Sequence, residues 1–304
     1  MRRLANSAGA GRISGFAGQQ PFLWPEKTHH RRLLTDHHLN DPHPNMPQIT
    51  ALTPERHAHK RWTRFSSYAF ARDRAVAPLV GAELARAALS LPVVFLQQSE
   101  TWLPSALLGL APDTSLMVSP DGRWLAGYVP AALRGYPFQL AHAQNDQWVL
   151  CIDESSELIV DGPEGEAFFD ADNQATPAVK EILDFLGQVA RNREATAKAC
   201  AALARHNCLQ PCPITVKTDS GGKQISGLYQ IDESALNQLD DAAFLELRRL
   251  GALPIAYLQT QSLQHLPRLA ELAKARTRTV PPERNGDIDL SFLDRDSTLK
   301  FDNF

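Results

Sequence analysis

An excess of charge of either sign is missing from this chain. Its 304 residues carry 31 Lys and Arg against 34 Asp and Glu, and the formal charge of -3 provides no field to hold a polyanion. Nucleic acid is therefore not an expected partner. Long apolar runs are missing too. The densest, around Leu89 to Leu96 and Leu103 to Leu110, are cut by Pro92 and Pro104 and fall far short of the roughly 20 residues a membrane helix needs. The chain reads as soluble, with no membrane span. Cysteine is scarce: Cys151, Cys200, Cys208 and Cys212 are too few to staple a chain that can build its own core, so reduced thiols are expected.

Familiar catalytic and metal signatures are absent as well. No Gly-x-Ser-x-Gly elbow, His-Glu-x-x-His or Gly-x-Gly-x-x-Gly occurs. Ser220-Gly221-Gly222-Lys223 lacks phosphate-loop spacing and reads as a turn between strands. Asp170, Asp172, Gln174 and Glu181 fall at the first, third, fifth and twelfth positions of a calcium loop, but Ala175 stands where glycine is wanted and Thr176-Pro177 starts a helix inside the loop. Cys200, His206, Cys208 and Cys212 are close in sequence, yet an offset of six puts the first two on different helix faces, and Pro211 and Pro213 stiffen the turn after the helix. The acids Asp153, Glu154, Glu157 and Asp161 read as a solvated loop. No catalytic residue, metal ligand or cofactor is assigned.

No secretory signal peptide is expected, because Arg12 and several Gly and Ser residues interrupt the place of an apolar region. A cytoplasmic protein is expected; the alternative is export to the cell surface by a leaderless route. Residues 1–45 have six Lys and Arg against three Asp and Glu, frequent Gly, Ser, Pro and His, and no apolar periodicity. They read as a disordered extension, with Met46 a second candidate start. Seven of the ten histidines lie between His29 and His59, in no defined coordination spacing.

What is present is an alternation of short apolar runs and helical segments. FSSYAF reads as a strand, Pro78 to Leu89 as a helix, and Asp121-Gly122 and DSGGK as hairpin turns. QWVLCID is a strand. The best-marked element is a long central helix from the Thr176 cap and Pro177, through Val179, Ile182, Leu183, Leu186 and Val189, to about Arg205. Asn207 ends it. Asp232 caps a short helix, Ala242 to Leu250 forms another, and a last helix covers about Leu266 to Arg276. The phrase LPVVFLQQ at residues 91–98 returns as LPIAYLQT at 253–260. Both are expected as buried core strands of one sheet, each followed by a second Leu-Pro, at Leu103-Pro104 and Leu266-Pro267. Chance similarity of two core segments is the alternative.

The stretches PLVGAELARAALSLPVVF, ALLGLAPDTSLMVSPDGRWLAGYVPAALRGYPF, GEAFFDADNQATPAV and SGLYQIDESALNQLDDAAFLELRRLGALPIAYLQTQS together resemble the SapC family, from about Met46 to the carboxyl terminus. The resemblance implies an association with bacterial surface layers and brings no established chemistry. The expected fold is α+β: a mixed or antiparallel sheet with packing helices, organised as the extension 1–45, a globular domain 46–276, and a linker with a docking tail over 277–304. In that tail Leu290, Phe292, Phe301 and Phe304 want a surface, on the same domain or on a secretion machine.

The candidate site is DGRWLAGYVPAALRGYPF, which gathers Arg123, Trp124, Tyr128, Arg134, Tyr136 and Phe138. Aromatic rings bury area at low entropic cost and arginine offers forked donors, so the combination suits recognition; ordinary strand packing is the alternative. Arg123 and Arg134 are the members expected at the surface. The expected function is non-enzymatic binding of a protein, a surface polymer or a small ligand. The opposing expectation is an enzyme or accessory protein with a peptide or carbohydrate ligand in a polar pocket around Glu83, Arg123 and Arg134.

Overall fold

The computed structural model describes residues 47–142, 147–218 and 221–279. The extension, most of the histidine-rich stretch and the tail lie outside the described residues, as does the choice between Met1 and Met46. The chain begins with β1 (Ile49–Ala51), α1 (Pro54–His57), β2 (Lys60–Trp62), β3 (Val76–Pro78), α2 (Gly81–Ala87), β4 (Val93–Gln98), β5 (Thr101–Leu107) and α3 (Ala131–Arg134). Next come β6 (Phe138–His142), β7 (Trp148–Asp153), β8 (Ile159–Asp161), β9 (Glu166–Ala167) and the long α4 (Pro177–Arg205). The last third holds β10 (Leu209–Pro211), β11 (Ile214–Thr218), β12 (Gly221–Ile225), β13 (Tyr229–Ile231), α5 (Glu233–Asn237), α6 (Asp241–Arg249), α7 (Ala252–Ser262) and α8 (Leu266–Thr279).

The fold is α+β, and among the described residues every strand pairing is antiparallel. A five-stranded sheet runs β10-β13-β4-β5-β3; two smaller sheets run β1-β7-β6 and β8-β2-β9, and β11-β12 is a hairpin. Helix α4 threads both cores. The Thr176 hydroxyl accepts from the Val179 N–H at its start, and Asn207, at φ +55, turns the chain out of it. Its first half packs Val179, Ile182 and Leu186 against Trp62, Phe138, Ile152 and Phe168. Its second half sets Ala199, Cys200, Ala202 and Leu203 into the larger core with Leu84, Phe95 and Leu107. Each large side chain fully buried this way contributes about 1.5–3 kcal/mol.

The first Leu-Pro phrase is the expected strand, with Val93 to Leu96 buried and paired along β5. The second is not a strand. Residues 253–260 lie in α7, so the proposed repeat does not exist. Gly251, in the left-handed region at φ +70, precedes the helix, and Pro254 sits in its first turn, where no intrahelical N–H partner is needed. Ala252, Leu253, Ile255, Ala256, Gln259 and Ser262 are buried along a helical stripe, whereas Tyr257 is exposed. An apolar run of this length satisfies a buried helix as well as a buried strand.

Gln259 joins this helix to the large sheet. Its Oε1 accepts from the Ile231 N–H at 2.9 Å and its Nε2 donates to the Val93 carbonyl at 3.0 Å. The Ser262 hydroxyl accepts from the Val93 N–H at 2.9 Å. Strands β13 and β4 share one registered pair, Tyr229 with Phe95, and Gln259 serves main-chain groups of both.

Other expectations shift by smaller amounts. The helix read over Pro78 to Leu89 is strand β3 followed by the seven-residue α2. FSSYAF is no strand: it bends and enters a 3-10 turn at Ala69–Ala71. Asp121-Gly122 lies in a turn closed by the single bridge Val118 to Trp124 rather than between two full strands. In the DSGGK hairpin the second strand already starts at Gly221. Helix α8 runs to Thr279, three residues into the expected linker. Among the described residues no helix is long and apolar enough to cross a membrane.

Candidate functional site

The site is built where FSSYAFAR meets SPDGR. Ser67 folds the first segment by accepting from the Ala69 N–H at 3.2 Å. The Tyr68 N–H then donates to the Gly122 carbonyl at 2.8 Å, and Arg72 donates to the Pro120 carbonyl at 2.6 Å. Gly122 has φ +84, and a Cβ there would lie 2.0 Å from the Ser67 hydroxyl. Only glycine lets the two segments approach this closely. On the other side of the turn, the Ser119 hydroxyl accepts from the Arg123 N–H at 2.9 Å and donates to Asp121. Arg123 Nε reaches the other Asp121 oxygen at 2.7 Å. The Ser119 and Arg123 hydrogen bonds hold Asp121 at about 2.

This docking strings five half-buried rings together. Phe65 meets Tyr68 at 5.3 Å and Phe70 at 5.1 Å, edge to face. Tyr68 meets Trp124 at 5.5 Å, and Phe70 stacks on Tyr136 at 4.1 Å with an interplanar angle of 7°. Burial pushes the Tyr136 phenol above its ordinary range. Arg72, Arg74 and Arg123 stand exposed around the rings, and the Arg74 charge acts on the Tyr136 phenol, lowering its pKa against the larger effect of burial. The result is a connected run of half-buried rings fringed by cations, suited to apolar contact, cation–π contact and hydrogen bonding.

A second cluster adjoins it through Trp124, whose Nε1 donates to the Tyr128 carbonyl at 2.8 Å. Glu83, at the third position of α2, is 5% exposed. It accepts from the Val80 N–H at 3.0 Å, the Tyr128 hydroxyl at 2.8 Å and the Ala131 N–H at 2.7 Å. Burial, with the hydrogen bond to Glu83, pushes Tyr128 up to about 12. Exposed Arg134 donates to the Tyr128 hydroxyl at 3.2 Å and lies 5.1 Å over the Phe185 ring. Glu83 is thus an anchor for the 128–131 segment.

Of the residues singled out from sequence, Trp124 and Tyr136 belong to the aromatic surface, and Glu83, Tyr128 and Arg134 form the adjoining cluster. Arg123 is turned to Asp121, and among the described residues no hydrogen bond or ion pair joins it to Glu83. Phe138 is 4% exposed and packs in the smaller core, edge to face with Trp62 at 4.8 Å. The sequence reading missed Phe65, Tyr68 and Phe70. The signal was there in the Ser66-Ser67 pair between Phe65 and Tyr68, which suits a turn and not a strand. The four cysteines are buried, and burial pushes Cys200 up to about 12.

The chain belongs to the SapC family, whose model matches residues 52–269. No curated protein and no solved structure matches the chain.

Proposed function

We propose that this SapC-family chain is a non-enzymatic binding protein that docks a partner protein or a surface polymer on the Phe65, Tyr68, Phe70, Trp124 and Tyr136 rings. The observation that carries this reading is the ring-to-ring continuity of five half-buried aromatics bordered by exposed arginines. Aromatic and arginine anchors of this kind dominate interface energies, about 2 kcal/mol or more apiece at hot spots. The commitment of Glu83 to three structural donors supports binding over acid-base chemistry at this place. A role at the cell surface fits the surface-layer association that the family resemblance implies.

A photo-crosslinking side chain placed at Phe65 or Arg123, with exposed Glu194 on α4 as control, tests the assignment in living cells. One partner captured from the first two positions and not from the third is expected. Arg74→Glu with Arg123→Glu should weaken binding of that purified partner about tenfold or more without lowering Tm. Equal labelling at all three positions would remove the aromatic surface as the binding site.

A further inference from the structure

A cleft remote from the aromatic surface in sequence opens between β13, α5 and α7. Its volume is about 540 Å³, and a smaller recess of about 180 Å³ continues it past the shared residues Glu233 and Thr260. The first lies within the range of about 300–1,000 Å³ common for small-molecule sites. The walls come from places far apart in the chain. Gln210 and Gln230 are opposite one another in the β10-β13 ladder. Ser234 lies in the first turn of α5, Thr260 comes from α7, and Ile231 and Leu263 supply the apolar part. Asn237, Tyr257 and Gln261 line the recess.

We infer that this cleft binds a neutral saccharide. The lining has no Lys, Arg or His, so it offers nothing to an anionic ligand. Its polar groups are chiefly amides and hydroxyls, which both donate and accept, as sugar hydroxyls require of their partners. Among the described residues the side chains of Gln230, Asn237, Thr260 and Gln261 make no internal hydrogen bond, leaving that capacity facing the cleft. Tyr257 is 55% exposed, and among the described residues it has neither a ring neighbour nor a hydrogen bond. Its face is a free platform for the C–H side of a pyranose, whose hydroxyl rim the flanking amides can meet. Behind the cleft, Gln259 clamps α7 to Ile231 and Val93, holding the wall in place before a ligand arrives.

The site binds without cleaving. Asp232 is committed to the α5 cap, where it accepts from the Ala235 N–H at 3.0 Å. That leaves Glu233 as the free carboxylate of the lining, one short of the pair that glycoside hydrolysis ordinarily uses. No residue of the aromatic surface takes part, so the two assignments stand or fall separately.

The test is calorimetric titration of the full chain with maltohexaose, cellohexaose, xylohexaose, mannohexaose and chitohexaose, and with spermidine as a charged control. Saturable binding of at least one hexaose and none of spermidine is expected. Tyr257→Ala should weaken the bound hexaose about tenfold or more, the scale of a lost aromatic anchor, whereas Tyr257→Phe keeps it. Thr260→Ala should weaken it to a smaller extent. Tyr257 is exposed, so both of its variants should keep the wild-type Tm. Failure of every hexaose to bind, binding unchanged by Tyr257→Ala, or saturable spermidine binding at the cleft would each overturn the assignment.

Discussion

Replacing Gln259 by leucine removes a single side chain and strands two main-chain groups. The glutamine is fully buried, and it satisfies the Ile231 N–H and the Val93 carbonyl together. A buried donor or acceptor left unsatisfied costs about 1–3 kcal/mol, so the two cost about 2–6 kcal/mol. Leucine of similar size recovers about 1.5–3 kcal/mol through its own apolar burial. The expected net loss is therefore about 2 kcal/mol, a substantial part of the roughly 5–15 kcal/mol that holds a domain folded. Urea unfolding followed by far-ultraviolet circular dichroism should show a lower midpoint with an unchanged slope. The melting temperature should fall by about 4–8 °C. Gln259→Glu should be worse near neutral pH, because an ionised carboxylate cannot donate to Val93 and is itself buried without a counter-charge. A leucine variant as stable as the parent would refute the reasoning, since another group would then be satisfying Ile231 and Val93.

Glu83→Ala should cost about 3 kcal/mol, because the Val80 and Ala131 N–H groups and the Tyr128 hydroxyl lose their acceptor together; a thermal melt within a degree of wild type would contradict this. Gly122→Ala places a Cβ against Ser67 in a left-handed conformation, and should cost about 1–3 kcal/mol and change the near-ultraviolet signal of Tyr68 and Trp124. Glu154 is held at about 2, against an ordinary 4.5, first by its hydrogen bond to Arg56 and then by His57. A depressed carboxylate stabilises fully above its unfolded value, so this contribution should disappear as pH falls from about 4.5 toward 2. Glu154→Gln should flatten the stability profile in that window, and an unaltered acid limb would argue against the ion pair.

How much could be read locally differs from element to element. The Thr176 cap, Pro177 and the spacing of Val179, Ile182 and Leu186 lie within a few turns of one another, and they specify α4 without reference to the rest of the chain. The same holds for the Asp232 cap of α5 and for the apolar strand QWVLCID. An α+β architecture with a mixed or antiparallel sheet follows from such pieces and from the turns between them. Residues 253–260 show where local reading ends. The apolar run satisfied strand and helix alike, and the choice fell to Gln259, which meets Val93 at a separation of 166 residues. The aromatic surface has the same origin: Tyr68 finds Trp124 because Gly122 lets two distant turns touch. So does the cleft, whose Gln210, Gln230 and Thr260 carry no pattern of their own along the chain. Caps and periodicity act within one element and are therefore written in consecutive residues. Ring stacking, buried amide bridges and cleft walls depend on which elements meet, and that is settled only when the whole chain has satisfied its buried main-chain groups and closed its core.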